Sequence, residues 1–185
     1  MRRRMMMETK PTQDWDVAWD YTMGLPEDNG FEKVINANPQ IKITGDGLHI
    51  IPYGGYVRYT PIGYETCNEG VYEETIAYYA FINNYGNRMI LSDGTSGLQI
   101  YVISAQIQFN NGMNDSQLII ANDLVLQKEY VIRIERIGGI NKIFLDGDKI
   151  HETEVVSGSF TTGNRIFFQS GGEYLLKSIK FKKIS

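Results

Sequence analysis

Short alternating runs of apolar and polar residues, separated by glycine turns, fill the last third of the chain. Residues 129–136 alternate in this way, and Gly138-Gly139 follows as a turn. A two-residue period interrupted by Gly-Gly and Asp-Gly is typical of antiparallel strands. Similar runs occupy residues 142–150, which contain an Asp-Gly break, and residues 164–169 and 174–181.

The same pattern begins at Trp15 and continues through the chain, with further turn signals such as Asp46-Gly47. Roughly a dozen short strands without a convincing helix predict two packed layers, because an open sheet of that length curls or splits. We therefore predict an all-β, two-sheet antiparallel sandwich over residues 15–185, with little or no helix. Alternation predicts that the following residues face inward: Ile132, Ile134, Ile143, Leu145, Ile166, Phe168, Ile179 and Phe181.

Composition restricts the classes of function. The formal net charge of -4 argues against a nucleic-acid partner, and no apolar run approaches the roughly 20 residues of a membrane helix, so we predict no membrane insertion. Cys67 is the only cysteine, so no intrachain disulfide can form. The two histidines make a histidine-rich metal site implausible, and we expect no metal site and no cofactor.

Residues 1–14 are polar and basic without periodicity, and their start lacks the apolar stretch of a signal peptide. We interpret them as an assembly arm, in which arginines pair with acidic surfaces of other protein chains and methionines fill shallow apolar grooves. A frayed terminus is the alternative. The residues expected to make the arm contacts are Arg2, Arg3, Arg4, Met5, Met6 and Met7.

Three stretches give the sequence a family resemblance. They are the opening at 19–26 followed by 47–50, the pair formed by 130–136 and 142–148, and the closing pair formed by 165–170 and 175–181. Together they resemble a concanavalin A-like lectin/glucanase jelly roll of the laminin-G-like kind. The resemblance implies the sandwich fold. It leaves lectins, glycan-binding modules, glycosidases, adhesion domains and virion proteins open as functions.

Carboxylate spacing argues against catalysis. Glucanases of this fold use a Glu-x-Asp-x-x-Glu run on one strand, and no glutamate here begins such a run. Glu73 and Glu74 are adjacent, so they point to opposite faces of a strand and are expected to be surface charges. We therefore predict that the protein is not an enzyme.

Tyrosines concentrate between residues 53 and 85, with asparagines and an arginine close behind. Tyrosine faces stack on sugar rings, but tyrosine and arginine are also enriched at protein interfaces, and alternate tyrosines can simply fill a core. The candidates for binding a ligand or partner are Tyr53, Tyr56, Tyr59, Tyr78, Tyr85, Asn83, Asn84 and Arg88. Calcium is a weak alternative at the turn aspartates, for which Asp-Gly turn formation is the favoured role: Asp46, Asp93, Asp146 and Asp148.

The sequence leaves two hypotheses about function open. The first is a non-catalytic structural or binding component of a larger assembly, such as a decoration, fibre-base or surface protein of a phage or viral particle. Its location would be the virion or particle surface, and its partners would be other chains of the assembly. The second is a glycan-binding, lectin-like module.

Overall fold

A computed structural model describes residues 14–81, 86–110, 118–155 and 163–185. Two short 3-10 helices, Tyr21–Met23 and Pro26–Asp28, are the helical segments within these ranges. The strands are β1 Val17–Asp20, β2 Phe31–Asn36, β3 Gln40–Thr44, β4 Gly47–Ile51, β5 Tyr56–Pro61, β6 Gly70–Ala80, β7 Asn87–Ser92, β8 Gly97–Ile103, β9 Gln106–Asn110, β10 Leu118–Ala121, β11 Glu129–Ile137, β12 Ile140–Leu145, β13 Asp148–Glu154, β14 Arg165–Gln169 and β15 Glu173–Lys183.

The strands form two antiparallel sheets that pack face to face. The eight-stranded sheet has the order β13-β12-β11-β6-β15-β4-β3, and β1 pairs with β15. The seven-stranded sheet has the order β10-β9-β8-β7-β14-β5-β2. Sequence neighbours are often far apart in a sheet, as β14 is between β5 and β7, which is the crossover pattern of a jelly roll. The prediction of an all-β jelly-roll sandwich is confirmed.

Turn chemistry explains the hairpins in the second half of the chain. Gly138 and Gly139 have φ of +61° and +75° between β11 and β12, and Asp146 and Gly147 have φ of +53° and +93° between β12 and β13. Two successive residues with positive φ form the tight turn that matches the twist of antiparallel strands. The run 142–150, predicted as one broken strand, therefore belongs to two separate strands.

Side chains from the inner faces of both sheets form one hydrophobic core. Of the eight residues predicted to face inward, seven are fully buried, and Leu145 is half-buried against the same core. Phe168 of β14 lies 5.1 Å from Tyr174 of β15, between ring centroids, so it joins the two sheets. Burial of a large apolar side chain contributes about 1.5–3 kcal/mol, so these positions supply much of the folding free energy.

The core also contains a buried carboxyl group. Adjacent Glu73 and Glu74 point to opposite faces of β6, but Glu74 has no exposed surface, so the expectation that it is a surface charge is wrong. Asn87 Nδ2 donates to Glu74 Oε2 over 3.3 Å, and Tyr78 donates its hydroxyl to Asn87 Oδ1 over 3.0 Å. Burial raises the pKa of Glu74 to about 8, since desolvation disfavours the carboxylate.

Candidate functional site

The outer surface of the seven-stranded sheet combines arginines with aromatic rings. In β14, Ile166 and Phe168 face the core, so the intervening Phe167 faces outward. Phe167 lies opposite Arg58 of β5 and opposite Arg88 of β7 in the strand register. We call this surface the arginine face and define it by its half-buried residues Tyr56, Arg58, Arg88, Arg165 and Phe167.

Stacked side chains form a ladder across four strands of the arginine face. The rings of Tyr56 and Phe167 stack with centroids 4.7 Å apart and planes 28° apart. The guanidinium carbon of Arg88 lies 4.9 Å from the Phe167 centroid and 5.3 Å from that of Tyr101 on β8. Arg88 Nη2 also donates to Gln169 Oε1 over 2.8 Å. These contacts fix the rings and one guanidinium before any ligand arrives.

The arginine face has an excess of positive charge. Among the strands of the seven-stranded sheet, the acidic residue is Glu32, on the edge strand β2. Within the described residues, the side chains of Arg58 and Arg165 form no ion pair or hydrogen bond, and the Nε atom of each is buried. The basic residues of these strands are Lys33, which pairs with Glu27, and Arg58, Arg88 and Arg165.

Repulsion among the arginines shows that they share one electrostatic environment. The pKa of Arg165 is lowered, first by desolvation on burial and then by the positive charges of Arg58 and Arg88. Like charges in a partly dehydrated site disfavour one another's charged form. A negative group placed among the three guanidinium groups would remove this unfavourable interaction.

Two of the residues predicted from the sequence lie on the arginine face, namely Tyr56 and Arg88. Tyr53 is 53% exposed and lies in the turn between β4 and β5. Tyr59 and Tyr78 are 0% and 1% exposed and belong to the core, so they cannot contact a ligand on the surface. Alternation explains this burial, because each tyrosine occupies an inward position of its strand.

The remaining predicted residues lie outside the described residues. They are the candidates Asn83, Asn84 and Tyr85 and the whole of the predicted arm contacts Arg2, Arg3, Arg4, Met5, Met6 and Met7. The predictions made for them stay predictions.

Sequence reasoning missed Arg58, Arg165 and Phe167. The signal was present, because an inward prediction for Ile166 and Phe168 places Arg165 and Phe167 outward on the same strand. The sequence does not show that β14 pairs with β5 and β7. Only the sheet order brings residues 58, 88 and 165 together.

The outer surface of the eight-stranded sheet differs in its charge pairing. We call it the paired face and define it by Glu73, Arg133, Glu135, Phe144 and Lys180. Arg133 lies 2.5 Å from Glu135 and 3.9 Å from Glu73, and Lys180 lies 2.9 Å from Glu73, between nitrogen and oxygen atoms. A cavity of about 560 Å³ opens there, beside Val131 and Gly147, and its lining combines Arg133 with three carboxylates, those of Glu73, Glu135 and Asp146.

Two of the four turn aspartates, Asp93 and Asp146, bind protein groups in the described part of the chain. Asp93 accepts hydrogen bonds from the backbone of Thr95 and Ser96, both at 2.7 Å, and Arg136 Nη2 lies 3.0 Å from its carboxylate. Asp146 accepts from the Val131 backbone over 2.9 Å. Among the described residues no group of three potential metal ligands comes together, and none of their helices is long and apolar enough to cross a membrane.

Comparison with known proteins gives structural matches only. No protein-family model matches the sequence, and no curated protein matches it. The carbohydrate-binding module CBM66 from Bacillus subtilis superposes with a TM-score of 0.58 and 16% identity, over 83% of this chain and 96% of that one. The chain has a concanavalin A-like jelly-roll fold. The superposition covers nearly all of CBM66. The fold resemblance inferred from the sequence is therefore confirmed.

Two other structures share the jelly roll at similarly low identity. The apo Crh5 transglycosylase superposes with a TM-score of 0.68 and 12% identity, over 91% of this chain and 84% of that one. The third match is a structure of botulinum neurotoxin type C, whose cell entry depends on interaction with two ganglioside molecules. It superposes with a TM-score of 0.58 and 16% identity, over 86% of this chain and 45% of that one. At these identities the likeness shows the fold alone.

Proposed function

We propose that the protein is a non-catalytic, glycan-binding module and that it binds sugar through the arginine face. The observation that supports this most strongly is the ladder of Tyr56, Phe167, Arg88 and Tyr101. Fixed rings offer apolar contact to the CH groups of a sugar, and the surrounding side chains offer donors to its hydroxyls. A few polar groups placed around an apolar platform are typical of small-ligand sites.

The known activities of the matched proteins agree with this proposal. CBM66 is a carbohydrate-binding module, and the neurotoxin interacts with gangliosides. The transglycosylase also acts on glycans by its name, so the fold alone leaves binding and catalysis open.

Carboxylate placement favours binding over hydrolysis. Retaining glycoside hydrolysis needs two carboxyl groups about 5 Å apart on either side of the scissile bond. In the seven-stranded sheet Glu32 stands opposite Thr60 on the edge strand β2. Glu27 and Glu65 line the same cavity as Glu32, but Glu27 is paired with Lys33 and the cavity lies outside the arginine face. The paired face has Glu73 and Glu135, but Arg133 and Lys180 neutralise them.

The sequence-based hypothesis of a phage or viral particle component stays a prediction, together with its proposed location on the particle surface. The matched structures give it no support. A glycan-binding role does not exclude such an assembly, because surface proteins of particles can bind glycans.

A binding experiment with a matched pair of variants tests the proposal. We would screen the protein on a glycan array and measure its best ligands by isothermal titration calorimetry. Phe167→Ala should weaken binding about tenfold or more, which corresponds to about 1.4 kcal/mol. Phe144→Ala is the control, since Phe144 lies on the opposite sheet with Arg133 5.9 Å from its ring centroid. Equal losses in both variants, or no glycan bound at all, would contradict the proposal.

A further inference from the structure

We propose that the arginine face selects glycans that bear an anionic group, a carboxylate or a sulfate, over neutral glycans. This inference rests on the proposed function and specifies the class of ligand. It depends on how Arg58, Arg88 and Arg165 are arranged around Phe167.

The three arginines surround one ring. Arg58 and Arg88 lie on the two strands that flank Phe167, so their Cα atoms are roughly 10 Å apart at the usual strand spacing. Arg165 lies two residues along β14 from Phe167, on the same face and about 7 Å away along the strand. An area of this size accommodates one or two sugar units, so a ligand seated on Phe167 lies within reach of all three side chains.

Two of these arginines have donors to offer. Arg58 and Arg165 have no hydrogen-bond or ion-pair partner for their side chains among the described residues, and their buried Nε atoms are without an acceptor there. A buried donor left unsatisfied is costly, and a guanidinium group matches the two oxygens of a carboxylate with parallel hydrogen bonds. The guanidinium groups of Arg58 and Arg165 are therefore without a counter-charge within the described residues, and an anionic group on a ligand supplies one whereas a neutral sugar does not.

The described strands of the seven-stranded sheet do not provide this anion. The formal net charge of the chain is -4, yet Glu32 on β2 is the acidic residue in the strands of the seven-stranded sheet, while Glu27 pairs with Lys33. A local positive field on an acidic molecule is a selective feature, since it attracts anions to one surface while the rest repels them. On the paired face, by contrast, Arg133 is already neutralised by Glu135.

Matched ligand pairs test the inference with the full chain. Isothermal titration calorimetry would compare sialyllactose with lactose, tetragalacturonate with its methyl ester, and sulfated lactose with lactose. We expect at least one acidic member to bind about tenfold or more tightly than its neutral partner, and this preference to shrink as ionic strength rises. The first two pairs identify a carboxylate and the third a sulfate, and either supports the inference.

Charge-neutralising variants show where the preference arises. Arg58→Gln and Arg165→Gln should each reduce affinity for the acidic member about tenfold, because a hydrogen bond to a charged group is lost. Affinity for the neutral member should change less than about twofold. Arg133→Gln on the paired face is the matched control and should leave both affinities unchanged. Circular dichroism and thermal melting would show that each variant is folded.

The outcomes separate this inference from the proposed function. If neutral glycans bind as well as acidic ones and Phe167→Ala weakens both, the module binds glycans but the anionic inference is wrong. If the acidic preference persists in the Arg58→Gln and Arg165→Gln variants, the inference is also wrong. If neither the array nor any of the pairs yields binding, both the inference and the proposed function are contradicted.

Discussion

Each outer face of the sandwich places an arginine beside a phenylalanine ring, but the two faces differ in whether their arginines are paired with carboxylates. On the paired face the guanidinium carbon of Arg133 lies 5.9 Å from the Phe144 ring centroid, and on the arginine face Arg88 lies 4.9 Å from that of Phe167. Glu135 and Glu73 pair with Arg133, whereas Arg58 and Arg165, on the arginine face, form no ion pair within the described residues. Charge pairing, rather than residue type, therefore distinguishes a structural surface from a candidate binding surface.

The two faces also differ in what their charges contribute to the stability of the folded state. Paired charges on a strand surface contribute modestly to stability, whereas clustered cations repel one another. Proteins retain such unfavourable features mainly at functional sites, where the ligand relieves them. The arginine face fits this pattern, since Arg165 has a lowered pKa that reflects burial and its two neighbouring arginines.

The largest expected effect tests the register that defines the arginine face. Phe168→Ala should destabilise the protein by about 3–5 kcal/mol, because Phe168 is fully buried. Its neighbour Phe167 faces outward, so Phe167→Ala should cost only about 1 kcal/mol through lost contacts with Tyr56 and Arg88. Urea unfolding of both variants measures the difference. Equal losses would show that the outward assignment of Phe167 is wrong.

A second prediction concerns the carboxyl group buried between the two faces. Glu74 holds its proton up to about pH 8 in the folded state, whereas its ordinary pKa is 4.5. Between about pH 4.5 and pH 8 the folded state therefore binds one proton more than the unfolded state. The free energy of unfolding should fall by about 1.4 kcal/mol per pH unit as pH rises through this range.

Glu74→Gln should remove this contribution to the pH dependence of unfolding, measured by urea titration at several pH values. It should leave glycan affinity unchanged at a fixed pH at which both proteins are folded, since Glu74 lies in the core and not on either face. An unchanged slope in the variant would show that Glu74 does not titrate in this range.

The smallest expected effect compares one arginine from each face. Arg133→Gln should destabilise the protein by about 0.5–1 kcal/mol, because it breaks the pairs with Glu73 and Glu135. Arg165→Gln should leave stability unchanged or raise it by up to about 1 kcal/mol, because repulsion from Arg58 and Arg88 is removed. Thermal and urea unfolding would measure both. A larger loss for Arg165→Gln would show that this arginine has a structural role.

Much of the fold could be predicted from the sequence, because strand periodicity and Asp-Gly or Gly-Gly turns are local signals. Alternation identified β14 and the inward direction of Phe168 without knowledge of its neighbours. Strand β2, whose side chains do not alternate cleanly in burial, gave no such signal.

The candidate site depended on non-local information. Arg58 and Arg165 are more than a hundred residues apart in the sequence, and their strands become neighbours only in the jelly-roll order. The burial of Tyr59, Tyr78 and Glu74 likewise follows from the second sheet that covers them. The sequence left Tyr59 and Tyr78 open between the core and a binding surface and predicted Glu74 at the surface, and tertiary packing buries all three.

Mapping of a bound glycan by nuclear magnetic resonance tests the central claim most directly. The isotopically labelled protein would be titrated with the glycan that binds most tightly, and changes in backbone amide shifts would be assigned to strands. We expect the largest changes in β5, β7 and β14, around Arg58, Arg88 and Phe167. Changes concentrated in β6, β11 and β12, around Glu73, Arg133 and Phe144, would place binding on the paired face and contradict the account.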